Sequence, residues 1–334
     1  MLLAGDIGGT KTVLSLFSAD KGPHTPLAQK TFSSTHYPSL ERMIREFTQT
    51  VAAPIENACF AVAGPVFAGR AQITNLPWII DAAQLQSAFG WSSVFLINDL
   101  EAVAYAIPIL EPSDVHTLSA GNPAPGGNLS VVAPGTGLGE AYLTCVDGRY
   151  LAHASEGSHT SFAPLNALEI GLLQYLFEKG FEHVSYERVC SGGLGIPLLY
   201  ADLKDTGYAE EPAWLTERLA ASEDPTPIIM ATALDQATSC ILCQATLDLF
   251  VAILGSECGN HALKIMATGG IYLGGGIPPR ILSKLEEPAF LNALRHKGRF
   301  KAMLSNFPVK VILNAQAGLI GAAAFGFDHS PVMA

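Results

Sequence analysis

The segment Gly5-Asp6-Ile7-Gly8-Gly9-Thr10 decides how the rest of this sequence is interpreted. Apolar residues alternate before it, over residues 2–6, and after it, over residues 12–17, which predicts two β-strands joined by a glycine turn. Because glycine lacks a Cβ atom, the backbone N–H groups of such a turn can approach a phosphate closely. The pattern is neither a Walker A loop nor a G-x-G-x-x-G fingerprint, and an ordinary hairpin turn explains it equally well.

A second glycine turn, Gly135-Thr136-Gly137, lies between predicted strands at residues 129–133 and 140–146. The two turns are about 128 residues apart, and each opens a run of strands followed by helices. This repetition predicts two related α/β halves that face each other, so that both turns could hold one polyphosphate. The glycine spacing does not match a dinucleotide fingerprint, which disfavours a nicotinamide-dependent dehydrogenase.

The boundary between the halves is predicted near residue 110, because residues 111–128 are rich in Pro, Gly and Ser and are typical of a linker. We expect a small α/β domain over residues 1–110, completed by a C-terminal helix at residues 315–327. A large α/β domain is expected over residues 111–314. Apolar spacing in this part predicts one long helix over 227–254 and a strand over 265–268.

The composition indicates a compact globular chain, since 49% of its 334 residues are hydrophobic and only 15% are charged. The formal charge of −11 argues against nucleic acid or an anionic membrane as a partner. The chain opens without a recognisable secretory signal, which predicts a cytoplasmic location. The apolar run 241–254 is interrupted by Gln244 and Asp248, so it is expected to be a buried helix rather than a membrane span.

A metal site formed by side chains alone is not predicted. Of six cysteines, only Cys240 and Cys243 form a C-x-x-C pair, and no second pair or histidine stands at zinc-site spacing. The cysteines are therefore expected to be core thiols. Glu156 and His159 alone are too few ligands to indicate a metal.

Two polar segments that follow predicted strands are candidates for substrate binding. Asn98 and Asp99 lie where a strand meets a helix, so they can cap the helix, and Asp99 can also accept a proton from a substrate hydroxyl. Glu156, His159 and Glu187 offer the mixture of acceptors and donors that neighbouring sugar hydroxyls require. For each of these three residues a solvated loop is the alternative interpretation.

Taken in order over nearly the whole chain, a set of motifs resembles the bacterial glucokinase family. The motifs are Gly5-Asp6-Ile7-Gly8-Gly9-Thr10, Thr74-Asn75, Ile97-Asn98-Asp99, Gly135-Thr136-Gly137-Leu138-Gly139, Glu156-Gly157-x-His159, Glu187-Arg188 with Ser191-Gly192, and Ala317-Gly318-Leu319-Ile320-Gly321. The resemblance implies a two-domain actin-like ATPase (ribonuclease H-like) fold with an interdomain cleft, usually as a homodimer. It also implies a glycolytic enzyme that transfers a phosphoryl group from ATP to the 6-hydroxyl of glucose.

The resemblance further assigns roles to individual residues. It makes Asp99 the catalytic base, and we expect Mg²⁺ to bridge the ATP phosphates with Asp6 nearby through water. Glucose would be held by Asn98, Asp99, Glu156, His159 and Glu187. The ATP phosphates would be held by Gly5, Asp6, Ile7, Gly8, Gly9, Thr10, Gly135, Thr136 and Gly137.

Some positions depart from the family pattern and leave alternatives open. Lys11 stands where this family usually has Asn, Ser155 and Ser158 stand where glycines are usual, and Leu100 replaces an aromatic residue. A related hexose or amino-sugar kinase is therefore one alternative. A non-catalytic sugar or nucleotide sensor on the same fold is another, because a fold does not fix a function. An actin- or chaperone-like assembly protein is disfavoured, since its additional segments have no visible counterpart.

Overall fold

The computed structural model describes residues 1–73, 76–235 and 237–330. Thr74 and Asn75, which belong to the motif set above, lie outside the described residues. The chain divides into two compact units. Unit 1 contains residues 1–112, 146–154 and the C-terminal part from residue 314, and unit 2 contains residues 113–145 and 155–313.

The chain forms strands and helices, in several places with a few elements of one kind in succession. The strands are β1 (Leu2–Ile7), β2 (Lys11–Phe17), β3 (Ala28–Ser33), β4 (Asn57–Val62), β5 (Val66–Phe67), β6 (Arg70–Gln72), β7 (Ile79–Asp81), β8 (Ser93–Asn98), β9 (Val115–Ser119), β10 (Leu129–Pro134), β11 (Leu138–Val146), β12 (Arg149–Ser155), β13 (Gly270–Leu273) and β14 (Val309–Ile312). The helices are α1 (Leu40–Thr48), α2 (Ala82–Phe89), α3 (Asp99–Ala106), α4 (Ala167–Glu178), α5 (Tyr186–Val189), α6 (Gly195–Asp205), α7 (Ala213–Ala220), α8 (Thr226–Leu234), α9 (Ile241–Ile265), α10 (Leu282–Leu285), α11 (Pro288–Arg295), α12 (Lys301–Leu304) and α13 (Ala317–His329).

The main sheet of unit 1 sets the positions of its polar residues. Its strands lie in the order β3, β2, β1, β4 and β8, with β1 parallel to β4 and β4 parallel to β8. The register pairs Ile7 with Val62 and Val62 with Asn98, so these three strands end at one edge of the sheet. That edge therefore receives the end of β1, the end of β8 and the start of α3, which is the usual ligand-binding edge of a parallel sheet.

The C-terminal helix α13 packs against α3, β1 and β4 within unit 1. Small residues permit this close approach. A Cβ atom on Gly321 would collide with the carbonyl oxygen of Ala102 in α3. The first turn of α13 places Gly318 beside Asp6, because a Cβ atom on Gly318 would lie 3.6 Å from Asp6 Oδ2. Helix α13 thus supports the edge of the sheet that carries Asp6.

Unit 2 is built around a second sheet and a long buried helix. Strands β11, β10, β13, β14 and β9 are neighbours in that order, and the Pro134–Leu138 pair closes the β10–β11 hairpin around the second glycine turn. Among the described residues, α9 alone is long and apolar enough to cross a membrane, and 72% of its most apolar window is buried. Because α9 packs against α6, α8 and α11, we interpret it as the core helix of unit 2.

Three predictions of secondary structure in this part of the chain were wrong. The single helix predicted over 227–254 is two helices, α8 and α9, because Asp235 accepts hydrogen bonds from Ala237 N and Thr238 Oγ1 in a turn that competes with helix formation. The strand predicted over 265–268 is wrong, since α9 continues to Ile265 and ends at a left-handed Met266. The predicted linker 111–128 contains β9, which pairs with β14.

We predict that Gly321→Ala destabilises the protein by at least about 2 kcal/mol, because the added methyl group meets the backbone of α3 and overpacks the contact. Gly171→Ala is the matched control. Gly171 is exposed on α4 with open space around it, so alanine is expected to stabilise the protein by about 0.5–1 kcal/mol. Urea unfolding measures both changes, and equal stabilities of the two variants would contradict the close α3–α13 contact.

Candidate active site

Two carboxylates meet at the edge of the sheet in unit 1. Asp6 lies one residue before the end of β1, and Asp99 is the first residue of α3. Burial and, next, the negative charge of Asp99 raise the pKa of Asp6 to about 6, while the charge of Lys11 opposes this rise. Two like charges held together in a partly buried place are costly, and such places are often functional sites.

Asn98 caps helix α3 and also fixes its own orientation. Its Oδ1 accepts from Leu100 N at 2.9 Å and from Glu101 N at 3.2 Å, while its Nδ2 donates to the carbonyl oxygen of Gly64 at 3.1 Å. An amide nitrogen has two hydrogens, so Asn98 Nδ2 has the capacity to donate a second hydrogen bond. Leu100 N also donates to Asp99 Oδ1 at 2.9 Å. Helix capping, predicted for this pair, is confirmed for Asn98.

The first glycine turn is held from one side by Ser34. Gly8 N donates to Lys11 O at 3.0 Å, which closes the turn. Ser34 Oγ donates to Gly8 O at 2.7 Å, and Ser34 N donates to Thr10 O at 2.9 Å. The Oγ1 atom of Thr12 lies 2.9 Å from Ser34 Oγ, so the buried Ser34 fixes the carbonyl groups on one side of the turn.

The predicted phosphate-binding residues of unit 1 differ in exposure. Gly5 and Ile7 are buried within β1, and a Cβ atom on Gly5 would lie 2.7 Å from the ring of Phe60. Gly8 and Gly9 are partly exposed and Thr10 is exposed. Only the Gly8–Thr10 part of the motif therefore presents its backbone to a ligand, and Gly5 allows the sheet to pack.

The second glycine turn in unit 2 is bound by another glycine pair. Gly135 N donates to Gly137 O at 2.8 Å, Gly192 N donates to Gly135 O at 2.8 Å, and Gly193 N donates to Thr136 O at 2.9 Å. A Cβ atom on Gly192 would lie 2.7 Å from Gly135 O, and a Cβ atom on Gly193 would lie 2.9 Å from Thr136 O. Residues 192 and 193 must therefore lack side chains for this backbone contact to form.

Three predicted sugar-binding residues lie together in unit 2. His159 Nδ1 is 3.3 Å from Glu187 Oε2, and His159 Nε2 is 3.7 Å from Glu156 Oε2. Glu187 also lies against the second glycine turn, because a Cβ atom on Gly137 would be 2.7 Å from Glu187 Oε1. The side chains of Glu156 and His159 are more than half exposed, so their polar atoms are open to a ligand.

A hydrated Mg²⁺ ion fits the acidic edge of unit 1. Within the described part of the chain, no group of three or more His, Cys, Asp or Glu side chains could enclose a metal. Mg²⁺, however, usually keeps several waters and binds one or two carboxylates together with substrate phosphates. Burial and the charge of Asp99 disfavour a negative charge on Asp6. A bound cation would stabilise that charge.

Sequence reasoning missed several residues that shape these sites. Nothing in the run around Ser34 signals its role, because its contact with Gly8 joins residues that are distant in sequence. Lys11 stands out in the sequence only as a departure from the family pattern, although its charge reaches Asp6. The adjacent glycines at 192 and 193 are a usable signal, since a glycine pair often marks a close backbone approach. Glu140, next to the second turn, carries no signal of its own in the sequence.

An α/β fold with glycine turns, paired carboxylates and residues suited to sugar hydroxyls defines the class of sugar kinases with the actin-like two-domain fold. Comparison with known proteins agrees. The family model described as Glucokinase matches residues 3–329. The chain belongs to the glucokinase family. As a member, it is an ATP-dependent hexose kinase that phosphorylates glucose, which confirms the resemblance and the fold class predicted from the sequence.

Individual relatives agree with this assignment. The chain is 41% identical to the glucokinase of Nostoc punctiforme, with 97% of this chain and 98% of the relative covered. A crystal structure of a glucokinase from an Antarctic psychrotroph is 33% identical, with a TM-score of 0.82 and 98% of both chains covered. A ROK family glucokinase from Streptomyces griseus, solved in complex with glucose and AMPPNP, is 18% identical with a TM-score of 0.63, covering 98% of this chain and 99% of that one, and shows the same fold.

We predict that Ser34→Ala raises the KM for ATP about tenfold, because the first glycine turn loses a hydrogen bond to a buried hydroxyl. Ser33→Ala is the matched control, since Ser33 is exposed and its Oγ lies 3.3 Å from Thr35 Oγ1, away from the glycine turn's carbonyl groups. The control is expected to keep the wild-type KM. A coupled assay at varied ATP measures both, and a wild-type KM for ATP in the Ser34 variant would contradict a supporting role for this residue.

Proposed function

We propose that the protein transfers the γ-phosphoryl group of ATP to the 6-hydroxyl of glucose, with Asp99 as the general base. The observation that carries this proposal is the position of Asp99, at the start of α3 and beside Asp6 on the edge where β1, β4 and β8 end. Ligands of open parallel sheets bind at this edge. A carboxylate placed there can take the proton of a substrate hydroxyl as the hydroxyl attacks.

The helix supports the role of Asp99 in two ways. The N-terminus of α3 favours negative charge, which suits a carboxylate at the position proposed for the base. Leu100 N donates to Oδ1 at 2.9 Å, which orients the carboxyl group. General-base catalysis of this kind contributes about 10²- to 10⁴-fold to a rate. Phosphoryl transfer otherwise depends mainly on positioning and charge stabilisation.

We propose that the hydroxyl groups of glucose are held by Asn98, Asp99, Glu156, His159 and Glu187. The second Nδ2 hydrogen of Asn98 is proposed as a donor, and the carboxylates as acceptors. His159 lies between Glu156 and Glu187, and its contacts with the two carboxylates orient its ring. The set thus offers both donors and acceptors, which matches a ring of neighbouring hydroxyls.

The ATP phosphates are proposed to bind the backbone of the glycine turns Gly8–Thr10 and Gly135–Gly137. The contacts from Ser34 and from the Gly192–Gly193 pair hold backbone groups of each turn in place, and such preorganised groups favour the binding of a charged ligand. The glucokinase of Streptomyces griseus was solved with both glucose and AMPPNP bound, which supports the same pair of ligand classes here.

Asp6 is proposed to hold Mg²⁺ through water. When bound, Mg²⁺ offsets the negative charge that builds up on the β- and γ-phosphates. Asp6 itself keeps the hydrated cation near the first glycine turn. Its pKa of about 6 means that the carboxylate is protonated as pH falls below that value, which would weaken cation binding in acid.

We also propose a place in glycolysis, a cytoplasmic location and a homodimeric state, as the family resemblance suggests. The net charge of −11 supports small-molecule partners over nucleic acid or an anionic membrane surface.

We predict that Asp99→Asn lowers kcat at least about a hundredfold and leaves the dissociation constant for glucose within about tenfold, because asparagine keeps the shape and removes the base. A coupled assay of ADP formation measures kcat, and calorimetry measures glucose binding. Glu101→Gln, which removes a carboxylate from the same turn of α3, is the control and is expected to keep kcat within about twofold. A near wild-type kcat in the Asp99 variant would reject the assignment of the base.

A further inference from the structure

Glu140 is a buried acid that the mechanism above does not use. It lies on β11, three residues after the second glycine turn, and is 1% exposed. A Cβ atom on Gly157 would collide with Glu140 Oε2, so the carboxyl group occupies the space where a side chain at position 157 would be. Glu140 therefore packs directly against the backbone of the 156–159 turn, which carries Glu156 and His159.

The partner of Glu140 is a second buried acid, Glu257, in the middle of α9. In the described part of the chain, no N–H or O–H group donates to either Glu140 oxygen or to Glu257 Oε1. One proton between the two carboxyl groups joins one Glu140 oxygen to Glu257 Oε1, with Glu140 as the acid that donates. Asn260 Nδ2 donates to the other oxygen of Glu257 at 2.9 Å, which favours this assignment.

The same helix reaches the other sugar-binding segment through Asn260. Asn260 Nδ2 also donates to Tyr186 OH at 2.8 Å, and Lys297 Nζ donates to Asn260 Oδ1 at 2.6 Å. Tyr186 precedes Glu187 in α5, and its backbone N–H donates to the carbonyl oxygen of Thr160 at 3.1 Å. One buried polar network thus lies under Glu156, His159 and Glu187.

We propose that Glu140 and Glu257 are positioning residues for glucose, and that the proton they share keeps the 156–159 turn in its binding conformation. The inference rests on the proposed binding of glucose by Glu156, His159 and Glu187. When the proton is lost, two buried carboxylates repel each other behind Gly157. The turn can then relieve the repulsion only by moving, which weakens the binding of glucose and leaves the first glycine turn in unit 1 unaffected.

The surrounding charges set the pH at which this happens. Burial and, next, the charge of Glu257 raise the pKa of Glu140 to about 8, and Lys264 opposes this rise. Burial raises the pKa of Glu257 above its ordinary value, while the hydrogen bond from Asn260 and the charges of Lys264 and Lys297 oppose this rise. The nearby groups Tyr186, Cys190 and Cys258 all have raised pKa values, so they stay neutral while Glu140 titrates.

The sign of the stability effect follows from the same pKa. Folding raises the pKa of the Glu140 carboxyl group from the ordinary 4.5 to about 8. The stability that this shift contributes to the native state is therefore fully present below pH 4.5. This contribution is lost as pH rises to about 8. The native state of the wild type should therefore lose stability over this range, and a variant without the titrating group should lose less.

The test compares Glu140→Gln with the wild type in glucose KM from about pH 6.5 to 9.5, a range that spans the titration. The glutamine amide can donate to Glu257 at every pH, so it replaces the shared proton without titrating. We expect the wild-type KM for glucose to rise about five- to tenfold across this range, and the KM of the variant to stay flat at the wild-type neutral value. The KM for ATP should depend on pH in the same way in the wild type and in Glu140→Gln.

Asp202→Asn is the matched control. Asp202 is another buried acid of unit 2, on α6, and its pKa is raised to about 6 by burial and by Asp205. This variant should keep the wild-type rise in glucose KM. Urea unfolding at pH 6 and pH 9 verifies that all variants fold, and Glu140→Gln should show the smaller loss of stability with pH.

Two results would overturn the inference: the same alkaline rise in Glu140→Gln as in the wild type, or a flat profile in the wild type. His159→Gln separates this failure from a failure of the proposed glucose site. A raised KM for glucose in that variant together with an unaltered pH profile in Glu140→Gln rejects the positioning pair alone. An unaltered KM in His159→Gln rejects the proposed sugar-binding set itself, and the positioning inference falls with it.

Discussion

The proximity of Asp6 and Asp99 is the constraint on which the account of this protein depends. The parallel register of β1, β4 and β8 brings the ends of these strands to one edge of the sheet. Asp6 lies near the end of β1 and Asp99 directly follows β8, so the register places both carboxylates at this edge. Their mutual repulsion and the burial of Asp6 are costs that a purely structural sheet edge would avoid. In the function proposed above, these costs are offset when a magnesium–nucleotide complex binds near Asp6 and a substrate hydroxyl binds at Asp99.

Close backbone packing elsewhere in each unit holds Asp6 and the second glycine turn in position. In unit 1, Gly321 allows α13 to approach α3, and the first turn of α13 then lies beside Asp6. In unit 2, the pairing of Gly192 and Gly193 with the second glycine turn depends equally on the absence of side chains. The same packing that positions the site also makes it intolerant of small increases in side-chain volume.

Local signals in the sequence predicted the parts of the site that local structure creates. The sequence shows the glycine turns between alternating strands, and it shows Asn98 and Asp99 at a strand–helix junction. These features are recognisable because turns and helix caps depend on the residue types of neighbouring positions. The break between α8 and α9 was missed, although Asp235 and Thr238 carried a turn signal that the apolar spacing around them obscured. Ser34, Glu140 and Glu257 could not be predicted, because their roles arise from contacts between residues distant in sequence.

The most direct test of the central claim is a measurement of the pKa of Asp6 by carboxyl carbon NMR, in the wild type and in Asp99→Asn. The account predicts a pKa of about 6 in the wild type. It predicts a lower value in the variant, still above the ordinary 3.8 because burial remains. An ordinary pKa in the wild type, or the same raised pKa in both proteins, would contradict the claim that these two carboxylates share one site.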